Sequence, residues 1–179
     1  MAGAEVSGID LKRLDNRAFN RIHRALLEHR VLGIGAQAMS AGDLVAFARR
    51  LGEPQAEPRR EFQHPLHPEI LVLSNAVDDG FPRGFRDNGP IWLLDGAPRA
   101  GGPHVVTLIY ALEIPAECED SVAGDISDAR HQPKPGAGYR RPVRAGDAIA
   151  WDQRCSLRFA TGGDAAHRTL YRIVVAGAA

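Results

Sequence analysis

Sulfur is nearly missing from this chain. Its two cysteines, Cys118 and Cys155, have neither metal-ligand spacing nor the numbers for a disulfide framework, so they read as reduced thiols of a cytoplasmic protein. Lysine is equally scarce. Lys12 and Lys134 stand among many arginines, and the formal net charge is +0. That balance gives no footing for a nucleic-acid or membrane-surface partner. The pairs Arg49–Arg50, Arg59–Arg60 and Arg140–Arg141 are scattered and lack interleaved aromatics, which argues against a nucleic-acid groove. No apolar run approaches a membrane span. Met1 to Leu11 has no apolar h-region of the secretory kind, and no internal repeat is visible. What remains is 179 residues with an ordinary apolar content of 44%, enough for a single domain over 1–179 with its own core.

Two helices come early. Val6 to Leu11 reads as a first strand with a turn or bulge at Gly8. Asp15 or Asn16 then caps a helix whose apolar positions Phe19, Ile22, Leu26 and Leu27 recur at helical spacing. Val31 to Gly35 is a buried strand. Ser40-Ala-Gly-Asp43 opens a second helix in the manner of a capping box, carrying Leu44, Phe47 and Leu51. Proline and charge make residues 53–68 a loop, and prolines follow both His64 and His67, so these read as ordinary loop histidines.

After that the chain is mostly short strands. Ile70 to Leu73 ends at Ser74-Asn75, Ile91 to Asp95 is a short apolar run closed by a carboxylate, and Val105 to Ile114 is a long strand stopped by Pro115. Residues 117–141 are polar and aperiodic, the pattern of a long connection or lid. The expected class is a β-rich α+β fold, a sandwich or jelly roll. Near the C-terminus a strand from Ala148 to Trp151 precedes one from Thr169 to Val175, which starts beside Arg168 and contains Arg172. An even spacing puts both arginines on one face of a strand. Two guanidinium forks facing one way suit a carboxylate, although spacing alone reads slightly better as a pair of solvated arginines on an edge strand.

These segments resemble, in order, the taurine dioxygenase/TfdA family. The matching residues are Gly8-Ile-Asp-Leu11, the two helices, Ser74-Asn75, Trp92-Leu-Leu-Asp95, Leu108 to Pro115, Trp151-Asp-Gln-Arg154, and Arg168 with Arg172. The resemblance implies a double-stranded β-helix and iron(II)/2-oxoglutarate chemistry, with the family's lid insert mostly missing. It also implies a metal held by a Trp-His-x-Asp segment and a distal histidine. Here the chain departs. Leu93 stands at the first histidine, Arg158 at the distal one, and only Asp95 remains. Ferrous iron of this class needs two imidazoles and a carboxylate. Leucine donates nothing, and a guanidinium stays protonated and repels a cation.

The expected cofactor is therefore none, the alternative being 2-oxoglutarate bound without iron. Arg158 is expected to form a salt bridge with Asp95 where the metal would sit, each half of a buried pair being worth roughly 3–5 kcal/mol. By the resemblance, Arg172 clamps the far carboxylate of 2-oxoglutarate and Arg168 meets an acidic group, with Asn75 and Trp92 as further substrate contacts. Local pairing of Arg172 with Asp152 or Asp164 is the competing reading. Asp95, His104 and Arg158 are the candidate catalytic groups, and His167 is a weaker one on the opposite face. Three functions follow. One is an iron-independent enzyme of specialised metabolism, acting non-oxidatively on a small carboxylate. Another is a metabolite-binding or partner-binding protein, a homodimer or a companion to another enzyme, which an exposed apolar patch near Val105–Leu112 would favour. The third is an oxygenase whose metal is held by Asp95, His104 and His64 or His67.

Overall fold

The computed structural model describes residues 3–86, 91–93, 105–115, 121–125, 139–153, 156–160 and 167–177, with only backbone pairing described for 91–93, 121–125 and 156–160. Strand β1 (Ala4–Val6) leads to helix α1 (Asn16–His29), β2 (Val31–Ile34) and helix α2 (Ala41–Leu51). Then come β3 (Glu53–Pro54), β4 (Gln63–His64), β5 (His67–Ser74), β6 (Val77–Asp78), β7 (Phe81–Pro82) and β8 (Ile91–Leu93). The chain continues through β9 (Val105–Glu113), β10 (Ser121–Asp125), β11 (Tyr139–Pro142), β12 (Ala148–Asp152), β13 (Ser156–Ala160) and β14 (Thr169–Ala176). Among the described residues no helix is long and apolar enough to cross a membrane.

Both helices start where side-chain oxygens meet their unpaired N–H groups. Asp15 accepts from Ala18 N at 2.6 Å. Ser40 and Asp43 form a full reciprocal capping box. Arg30 ends α1 in the left-handed conformation, with φ 64°, and the chain turns directly into β2, whose four residues are all buried.

Two sheets and a separate β6–β7 hairpin carry the rest. The larger runs β1-β2-β12-β9-β14-β5-β4, with β3 beside β14, and the smaller runs β11-β10-β13-β8. Alternation along the strands splits the larger sheet's apolar residues between its faces. Leu108, Tyr110, Ala150, Ile173 and Val175 pack with Ile22, Leu26, Leu44 and Phe47 of the helices. Ile109, Ala111, Ile149, Trp151 and Leu170 pack on the other face with Tyr139 and Val143, from β11 and the turn after it. This inner face is where a ligand cleft can lie. The architecture is the expected one, a β-rich α+β jelly roll with two N-terminal helices.

A polar latch joins the sheets at one edge. The Tyr139 hydroxyl donates to the Glu5 carboxylate. Arg141 donates to Glu5 Oε2 at 2.7 Å and to Asp147 Oδ2 at 2.9 Å. Burial and the bond to Glu5 push the Tyr139 phenol far up from its ordinary value. Both side chains lie flat on Gly33, where a Cβ would overlap the Tyr139 hydroxyl and an Arg141 nitrogen. The outcome expected for Gly33→Ala is a loss of about 1–3 kcal/mol from overpacking, read by urea unfolding. An unchanged midpoint would show that the latch gives way without cost.

Several sequence expectations are corrected. The first strand ends at Val6, because Gly8 turns at φ 70° and Asp10 caps a short 3-10 turn over Leu11–Arg13. The stretch 53–68 is no plain loop: β4 pairs with β5, and His64 lies opposite His67. The polar connection 117–141 contains β10 and β11, which pair with each other. Val105–Glu113 is buried at the centre of the larger sheet apart from its ends, so among the described residues this strand offers no broad exposed apolar patch.

Candidate functional site

The C-terminal strand β14 lies between β9 and β5, which overturns the edge-strand reading of its arginines. Arg172 sits in a cross-strand row with Ile109 on one side and Leu71, then Gln63, on the other. Tyr171 packs on the helix side and Leu170 on the inner side, so Arg172 shares the inner face. Its buried Nε has no hydrogen-bond partner among the described residues. Burial pushes its pKa down from the usual arginine value, the Glu57 carboxylate pulls the other way, and Arg59 adds to the depression. An under-satisfied guanidinium on the inner face of a sheet is built to receive an acceptor.

Arg168 is anchored through its backbone. Its N–H donates to Asn75 Oδ1 at 2.7 Å, and its carbonyl accepts from Ser74 Oγ at 2.8 Å. The side chain is 1% exposed. The Asn75 oxygen fixes the start of β14, and so positions the arginine strand. Thr169 extends this polar joint, lying 3.2 Å from Ser74 Oγ and donating to Glu113 at 2.8 Å.

A carboxylate that the sequence reading missed lies beside the site. Glu57, 9% exposed, accepts at Oε1 from the backbone N–H of Arg59 at 3.2 Å and from its guanidinium at 3.1 Å. The Arg59 guanidinium lies 4.7 Å over the Phe85 ring, which meets Phe62 edge-on at 5.5 Å. The competing reading of Arg172 named Asp152 or Asp164. Among the described residues Glu57 is a carboxylate that acts on Arg172; Asp152 is buried at the end of β12, and Asp164 lies outside the described residues.

On the smaller sheet, Leu93 of β8 and Arg158 of β13 are direct Cα partners across the antiparallel pair. The two positions where the resemblance puts histidines are therefore neighbours, as a shared metal site requires, but they hold a leucine and an arginine. These residues do not fit a ferrous ion: one has no donor atom, and the other carries a permanent positive charge. Asp95 and His104 lie outside the described residues, so the expected Asp95–Arg158 salt bridge does too. Trp92 is the Cα partner of Phe159. His167 is exposed just before β14.

The substitute site built on His64 or His67 meets a topological obstacle. His64 packs edge-on against Tyr171 at 5.4 Å, and Tyr171 belongs to the helix side. Adjacent residues of a strand point to opposite faces, and the His67 ring lies beside Gly42 of α2, so these histidines lie across the sheet from Arg172. Burial, then His67, pushes the His64 pKa below the usual histidine value. The unfolded chain thus takes up this proton more readily than the folded one. The stability tied to neutral His64 is full above about pH 6.5 and is lost as pH falls from there through the lower folded value. His64→Gln should flatten the dependence of the unfolding midpoint between pH 7 and 5. An identical slope in the variant would contradict this.

Known proteins agree with this architecture. The profile described as "Taurine catabolism dioxygenase TauD, TfdA family" matches residues 1–125. A taurine dioxygenase from Burkholderia xenovorans superposes with TM-score 0.70 at 20% identity, covering 98% of this chain and 88% of that one. AAD-2, solved in complex with Mn(II) and N-oxalylglycine, superposes with TM-score 0.71 at 14% identity, covering 99% and 96%.

Proposed function

The chain belongs to the TauD/TfdA family of taurine catabolism dioxygenases, and we propose that it uses the fold without iron, acting non-oxidatively on a small molecule that carries a carboxylate. The observation that carries this reading is Arg172, a guanidinium on the inner face whose buried Nε is left without an acceptor. A carboxylate supplies the missing acceptor and the missing charge together. The family's dicarboxylate chemistry points the same way, since AAD-2 was solved with N-oxalylglycine, itself a dicarboxylate.

Within this reading Arg172 orients the substrate. The groups proposed for the chemistry are Asp95, Arg158 and His104, with Arg158 in the charge role of a cation and His104 as the group that supplies or removes a proton. Chemistry of that kind is proton transfer, elimination, cyclisation or hydrolysis, in which positioning and acid–base action carry the rate. The second reading is a carboxylate-binding protein without turnover. It gains from Ser74 and Asn75, whose side-chain oxygens serve the backbone of Arg168. The partner-docking version finds no exposed apolar face on β9 itself. Titration calorimetry in chelator-treated buffer with 2-oxoglutarate, succinate and N-oxalylglycine tests the shared premise. Saturable heat with at least one of them is expected. No heat and no shift in melting temperature with any of them would overturn it.

A further inference from the structure

We infer that Glu57 is a built-in competitor for the ligand carboxylate at Arg172, and that Arg59 sets the affinity of the cleft by holding Glu57 back. The inference rests on the reading of Arg172 as the carboxylate clamp.

Three observations place the acid there. The segment carrying Glu57 is sewn to the sheet: its N–H donates to Pro68 O at 2.9 Å, and its carbonyl accepts from Gln63 Nε2 at 2.6 Å. Gln63 lies opposite Leu71, and Leu71 lies opposite Arg172, so Glu57 is tied to the row that holds the clamp. Its side chain is 8% exposed, too dry for water to screen the charge fully. Both bonds that Oε1 takes come from Arg59, whose own guanidinium is fixed over Phe85.

The group therefore holds two cations and one carboxylate. That arrangement offers a single uncompensated positive charge, which matches one carboxylate of a ligand. Glu57 and that carboxylate repel one another, and both are attracted to Arg172. Each contact that keeps Glu57 on Arg59 leaves Arg172 freer for the ligand. A site of this kind admits monoanionic ends and disfavours a phosphate, whose second charge adds to the repulsion from Glu57.

Glu57→Gln keeps the shape and the accepting oxygen for Arg59 but removes the charge. Affinity for N-oxalylglycine in metal-free calorimetry should rise about ten-fold, the scale of one screened charge pair. Arg59→Gln frees Glu57 to turn to Arg172, and affinity should fall by a similar factor. The double variant should return to near the wild-type level, because it removes one charge of each sign and leaves Arg172 as the net positive charge, so that the loss in Arg59→Gln is seen only while Glu57 is present. Should Glu57→Gln fold poorly, Arg59→Gln decides, since this partly exposed side chain can change without loss of the fold. Unchanged affinity in Glu57→Gln, with binding still lost in Arg172→Met, would overturn the competition and leave the clamp standing. No binding by the wild type or by Glu57→Gln would remove the clamp and the competition together.

Discussion

Arg172→Met should lower carboxylate affinity by about 100-fold while leaving the melting temperature within a few degrees of wild type or raising it. The affinity loss follows from removing a charge-assisted, two-pronged contact, each ionic hydrogen bond being worth about 1.5–3 kcal/mol. The stability side follows from the geometry. Arg172 is desolvated, its Nε is unsatisfied, and Ile109 and Leu71 flank it in the row. Methionine removes an orphaned donor and fits an apolar row, and such replacements are often neutral or stabilising. A purely structural arginine paired with Glu57 would behave in the opposite way. Its loss would leave a buried carboxylate short of a partner and cost about 3–5 kcal/mol. The pair of readouts, calorimetric affinity and thermal midpoint, separates the two roles.

Trp151→Ala should be the most destabilising single change among the described residues, at about 3–5 kcal/mol. The side chain is 0% exposed and packs among the inner-face residues with Ile149, Ile109, Tyr139 and Val143. It pairs with Val31 on one side and Thr107 on the other, at the centre of the larger sheet. Removing the indole leaves a cavity that flanking β-strands fill poorly, because their backbones are held by two ladders each. Trp151→Phe should recover most of the loss, and more so because the indole N–H has no partner among the described residues. Equilibrium urea unfolding of both variants checks this. An alanine variant within 1 kcal/mol of wild type would mean that the second sheet does not seal the inner face, with the 1 kcal/mol threshold set by ordinary surface substitutions.

Much of the fold was legible because its signals are local. Asp15 and the Ser40/Asp43 capping box announce helix starts within four residues. The apolar runs of β2, β9, β12 and β14 are buried strands that look like buried strands. The resemblance supplied the order of the strands and the neighbouring positions of Leu93 and Arg158. What escaped has long-range causes. β10 and β11 lie in a polar stretch with no period of its own, and they pair because β13 offers an edge. His64 and His67 looked like loop residues because proline follows each, yet proline is tolerated at the edge of a short hairpin. Glu57 gave no signal at all. It lies just before Pro58 in a charged stretch, and its meaning comes only from Arg59 and from an arginine far along the chain.

Anaerobic titration with iron(II) and 2-oxoglutarate separates a TauD/TfdA fold that binds a carboxylate without iron from one that works as an oxygenase. Visible absorption and melting temperature are followed together. The account predicts no charge-transfer band, and a 2-oxoglutarate-dependent rise in melting temperature that is the same with and without iron and absent in Arg172→Met. A band that grows with iron(II) and disappears in Asp95→Ala would contradict it, showing that the chain assembles a metal site despite Leu93 and Arg158.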